Sequence, residues 1–110
     1  MESLNDDLIY NLQAWRRLYR ALKHIFVPRL VAERITRLGQ DYRLLLDQYM
    51  DSTEQSVKAF CLSQLCNLSQ QMRQVLLENQ QPFADLKLTI KSIDYQLDPS
   101  EDVRARRTPS

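Results

Sequence analysis

Apolar residues recur at steps of three and four along most of the chain. The runs are Leu8, Leu12, Trp15, Tyr19, Leu22 and Phe26; Val31, Ile35, Leu38, Tyr42, Leu45 and Tyr49; Cys61, Leu65, Leu68, Met72 and Val75; and Phe83, Leu86, Ile90, Ile93 and Leu97. Val57 extends the third run upstream in a shifted phase. This spacing keeps one face of an α-helix apolar. It predicts an all-α fold, an antiparallel bundle of about four helices over 5–27, 29–50, 53–79 and 82–97, forming one domain over 1–97. A flexible polar tail is expected over 98–110, where the pattern stops.

The boundaries rest on local chemistry. Ser3 or Asn5 can cap the first helix, and Asp6 and Asp7 then sit in its first turn, where the helix dipole favours negative charge. Pro28 breaks the phase between the first two runs, and two arrangements satisfy it: a tight hairpin, or one helix kinked at Pro28. Gly39 does not disturb the second run, which predicts that the helix passes through it, with another helix packed close by. Ser52 followed by Gln55 matches a capping box and marks the start of the third helix. The last element is divided. Leu86, Leu88 and Ile90 alternate with Lys87, Thr89 and Lys91 as in a strand, whereas Phe83 to Leu97 keeps helical spacing over a longer window. The longer match favours a helix.

Composition narrows the picture. Of 110 residues one is Gly and four are Pro, too little turn chemistry for an all-β fold. Cys61 and Cys66 lie five apart on one predicted helix, out of disulfide reach of each other. They read as reduced thiols, which makes the cytoplasm the expected location. No apolar run approaches the roughly 20 residues of a membrane span, and the acidic N-terminus does not resemble a signal peptide.

A formal net charge of +1 gives no global attraction to nucleic acid or anionic membrane, but charge is unevenly placed. Between residues 16 and 43 stand eight basic residues (Arg16, Arg17, Arg20, Lys23, Arg29, Arg34, Arg37 and Arg43) against Glu33 and Asp41. A basic stripe made of Arg16, Arg17, Arg20, Lys23, Arg34 and Arg37 is one candidate partner-binding surface. The other is the third helix, which carries no charged residue from Ala59 to Met72. Its polar positions are hydroxyls and neutral amides, which lose less on desolvation than charges do. Ser63, Gln64, Cys66, Asn67, Gln70 and Gln71 are therefore expected to meet a partner.

Catalytic chemistry finds little support. His24 is the only histidine, the single glycine cannot build a phosphate loop, and no spaced Cys and His set or Glu-x-x-His pair suggests a metal. Neither a cofactor nor a metal is expected. The sequence points to a non-enzymatic interaction module, an adaptor, regulator or assembly subunit that binds a protein partner or its own copies through helix faces. The alternative is a nucleic-acid-associated regulator that sets the basic stripe on phosphates, a reading separated from the first by its steep salt dependence.

Overall fold

Pro28 divides the first half of the chain into two helices. In the computed structural model, which describes residues 4–93, α1 spans Leu4–Ala21 and α2 spans Arg29–Asp51. They are followed by α3 (Gln55–Glu78) and a single turn, α4 (Gln80–Phe83), that tightens into a 3₁₀ turn over Ala84–Leu86. The expectation of a helix reaching residue 27 is corrected: α1 stops at Ala21 and residues 22–28 form the connection. Past Ala21 the helix tightens, with Lys23 and His24 donating to the Arg20 and Ala21 carbonyls, and Pro28, which disfavours the helical region for Val27 and has no N–H, makes α2 start afresh. Its first backbone bond runs from the Ala32 N–H to the Pro28 carbonyl at 3.1 Å. Phe26, at the end of the first apolar run, is consequently 94% exposed.

Side-chain bonds fix the helix directions. Tyr42 donates its hydroxyl to the Leu8 carbonyl and Trp15 donates its indole N–H to the Ile35 carbonyl, each at 2.9 Å. Later residues of α1 thus meet earlier residues of α2, so the pair is antiparallel. Arg34 with Glu78 and Gln48 with Cys61 relate α2 to α3 in the same way. Gly39 lies where α1 crosses α2, because a Cβ there would stand 2.9 Å from Trp15 Cδ1. Only a residue without a side chain lets the indole lie against the α2 backbone.

The α2 and α3 runs supply the core as their spacing predicts, through Ile35, Leu38, Tyr42 and Tyr49 on one and Cys61, Leu65, Leu68, Met72 and Val75 on the other. The inward face of α1 is rotated from the expected one. It buries Leu8, Asn11, Ala14, Trp15 and Leu18, while Tyr19 is 51% exposed. The third helix also begins two residues later than expected. Ser52 does not cap it; its hydroxyl accepts the Glu54 N–H at 3.1 Å and closes the turn that precedes α3.

The largest correction concerns the expected helix over 82–97. Helical structure ends at Leu86, and residues 87–93 run without regular structure; residues 94–97 and the tail 98–110 lie outside the described residues. Lys87 takes the left-handed conformation (φ 51°), closing the 3₁₀ turn and redirecting the chain. Residues 87–93 then form a strap that runs back along α1. Arg17 donates to the Leu86 carbonyl, Tyr10 and Thr89 share a hydroxyl hydrogen bond, and Lys91 reaches Asp7 at 3.1 Å. Asn11 holds the strap by its backbone: its Oδ1 accepts the Lys91 N–H at 2.7 Å and its Nδ2 donates to the Lys91 carbonyl at 2.9 Å. The carboxamide thereby stands in for a neighbouring strand. Ile90 and Ile93 enter the core with Phe83, and Leu88 packs partly against it, so the strap fills the place expected of a fourth helix.

Candidate interaction surface

Because α3 points Cys61, Leu65, Leu68 and Met72 inward, the uncharged positions between them are divided around the rest of the helix. Ser63, Asn67 and Gln70 are exposed and face outward, whereas Gln64, Cys66 and Gln71 are half-buried on the flanks. The outward face thus combines exposure with an absence of charge from Ala59 to Met72. Phe60, which borders it, and Leu77, one turn from its end, are each 61% exposed.

At Phe60 this face opens into a groove between α2 and α3, with a volume of about 770 Å³. Leu44 and Asp47 with Asp51 line it from α2, and Ser56, Val57 and Phe60 from α3. The short α2–α3 turn positions these walls. Lys58 donates to the Tyr49 carbonyl at 2.7 Å and lies 4.2 Å over the Tyr49 ring, which ties the first turn of α3 to the last turn of α2. Below the groove Cys61 contacts Gln48 Oε1 at 3.7 Å. Leu44 is 64% exposed and Val57 38%. Large apolar side chains converging in solvent are less common than scattered ones and mark interaction sites.

The basic stripe is distributed over several faces. Arg17 turns toward the strap through its bond to the Leu86 carbonyl, and Arg34 meets Glu78 at 3.4 Å. Arg16 lines a smaller cleft between α1 and α2, about 210 Å³, together with Leu12, Tyr19, Gly39 and Arg43. Arg20, Lys23 and Arg37 are exposed, and with Arg16 they make no ion pair among the described residues.

The buried polar groups belong to the fold. Burial pushes the Tyr42 phenol up to about 12, against the lowering influence of the Ser69 and Asn11 side chains beside it. Asn11 and Ser69 are both buried, and Asn11 Nδ2 stands 3.5 Å from the Ser69 hydroxyl. Cys61 and Cys66 form no disulfide. Among the described residues no three of His, Cys, Asp and Glu come together, and no helix is long and apolar enough to cross a membrane.

Leu44 and Phe60 escaped the sequence reading, and the available signal was slight. Leu44 opens the triplet Leu44-Leu45-Leu46, of which one helical face buries only part, and Phe60 precedes the core residue Cys61. Neither position announces that the two meet across a helix pair. No protein-family model matches the chain, and no curated protein or solved structure is significantly similar to it.

Proposed function

We propose that this protein is a non-enzymatic helical interaction module that binds protein surfaces, its own copies among them, through the outward face of α3. One observation supports this above the others: α3 is exposed at Ser63, Asn67 and Gln70 within a stretch that carries no charge. An outer helix of a bundle ordinarily carries charges on its solvent side. Neutral amides and hydroxyls keep such a face soluble yet cheap to desolvate against a partner. The reduced state expected of Cys61 and Cys66 suits work in the cytoplasm.

Light scattering across the micromolar range tests the reading. Wild-type protein is expected to rise in mass with concentration, and Asn67→Glu combined with Gln70→Glu to remain monomeric with an unchanged circular dichroism spectrum. Both positions are exposed, so the fold should tolerate the change. A wild-type protein that stays monomeric throughout, or a double variant that associates equally well, overturns self-association through α3.

A further inference from the structure

We infer that the groove between α2 and α3 is the seat of a basic amphipathic helix supplied by a protein partner. The inference rests on the reading of the protein as an interaction module and names the partner's chemistry.

The groove has an apolar floor and an acidic wall. Leu44, Val57 and Phe60 come from two helices and are 64%, 38% and 61% exposed. A volume of about 770 Å³ falls within the roughly 300–1,000 Å³ of sites that hold a ligand or several anchor side chains. An open trough between two antiparallel helices matches the mode in which an amphipathic helix lays its apolar face into a groove.

Charge selects the sign of the partner. Asp47 and Asp51 stand one turn apart on α2, and among the described residues no cation lines the groove. Asp51 has no ion pair among the described residues. Asp47 approaches Arg43 only at 4.0 Å, with the two side chains 63% and 71% exposed, a contact too wet and too long to neutralise it. Lys58, the nearest cation on α3, is held by the Tyr49 carbonyl. Residues three and four apart on a helix are neighbours, so basic residues at i and i+4 of an incoming helix match the two carboxylates. The adjoining row of that helix then reaches Leu44 and Phe60. On its other side α2 is covered by α1, where Tyr42 bonds to the Leu8 carbonyl and Trp15 to the Ile35 carbonyl, so the occupant adds a helix without displacing one.

The probe is a fluorescent helical peptide with Leu at i, i+3, i+4 and i+7 and Lys elsewhere, paired with a counterpart in which Glu replaces Lys. By anisotropy, wild-type protein is expected to prefer the Lys peptide by at least about tenfold. Asp47→Lys combined with Asp51→Lys should reverse that preference, and Leu44→Ala combined with Val57→Ala should weaken both peptides. Amide shifts on binding should gather at residues 44–60. Equal binding of the two peptides, a preference that charge reversal leaves in place, or shifts centred elsewhere overturns the inference. So does a groove already occupied by a second copy, seen as concentration-dependent shifts at residues 44–60 without peptide. Asn67→Glu combined with Gln70→Glu separates the two readings. If it abolishes self-association while the Lys peptide still binds, both stand. Self-association without peptide preference removes the groove alone, and a monomer that binds the Lys peptide at the groove removes the α3 face alone.

Discussion

At Gly39 a missing methyl group decides how two helices meet. Alanine there would raise helix propensity by about 1 kcal/mol. Its Cβ would also stand 2.9 Å from the ring of Trp15, which is 1% exposed and bonded through its indole N–H to the Ile35 carbonyl. A buried, anchored ring cannot yield cheaply, and overpacking of this kind costs about 1–3 kcal/mol. Gly39→Ala is therefore expected to lower stability in urea despite the better helix former, and to shift the emission of Trp15, the single tryptophan. A more stable variant with unchanged emission would show that α1 relaxes away. Tyr42 makes a second test by pH. Its phenol is pushed up to about 12 by burial, so the folded state holds the proton more tightly than the unfolded chain, whose tyrosine ionises near 10. This contribution is fully present below pH 10 and is lost as pH rises from 10 through 12, up to about 3 kcal/mol. Tyr49 is raised by burial as well, so the informative quantity is the difference between wild type and Tyr42→Phe. Near neutral pH the variant should be less stable by about 1 kcal/mol for its lost bond to the Leu8 carbonyl. Above pH 10 the gap should close or change sign, and a gap independent of pH would refute the buried phenol's role.

Among the elements, the strap depends most on one residue. Asn11→Ala would leave the Lys91 N–H and carbonyl without the amide that satisfies both. Removing a buried partner of two backbone groups costs about 2–4 kcal/mol, and here the loss should appear as unprotected hydrogen exchange at the Lys91 amide. Phe26→Ala, at a 94% exposed position in the α1–α2 connection, should leave stability unchanged. If Lys91 stays protected in Asn11→Ala, apolar burial of Ile90 and Ile93 suffices to seat the strap. The contrast explains what was legible in the sequence. α2 keeps a helical period from Val31 to Tyr49 and α3 from Cys61 to Val75, and tertiary packing only had to accept it. The last element could not be read because Leu86 and Ile90 fit both a helix and an extended chain, and the deciding partner, Asn11, lies 80 residues away from Lys91. Asn11 also hid the true face of α1, since an apolar ladder steps past a buried amide to Leu12. The uncharged length of α3 was visible as composition, whereas the groove required Leu44, Asp47 and Asp51 to meet Phe60 across a turn.

At the scale of the molecule, three surfaces of the described residues differ in their polar groups. The α1–α2 cleft is flanked by Arg16 and Arg43, the α2–α3 groove by Asp47 and Asp51, and the outward side of α3 carries hydroxyls, amides and the exposed Phe60 but no charge between Ala59 and Met72. Salt distinguishes contacts made through these faces, because raising it from 0.1 to 1 M shortens the screening length from about 10 to 3 Å. Association through the neutral side of α3 involves no charge that salt could screen, and excluded salts such as sulfate strengthen apolar burial. Sedimentation equilibrium should then give a dimer constant that is unchanged within about twofold in sodium chloride and tighter in sulfate. A basic helix in the groove should behave oppositely, its affinity falling as Asp47 and Asp51 are screened. If self-association instead weakens steeply with sodium chloride, the copies meet through charged side chains, such as Arg16 and Arg43 of one copy against Asp47 and Asp51 of another. That contact is heterologous and need not close, so it should grow past the dimer as concentration rises. A neutral α3 face meeting itself about a two-fold axis should stop at two copies, and the mass at saturation decides between them.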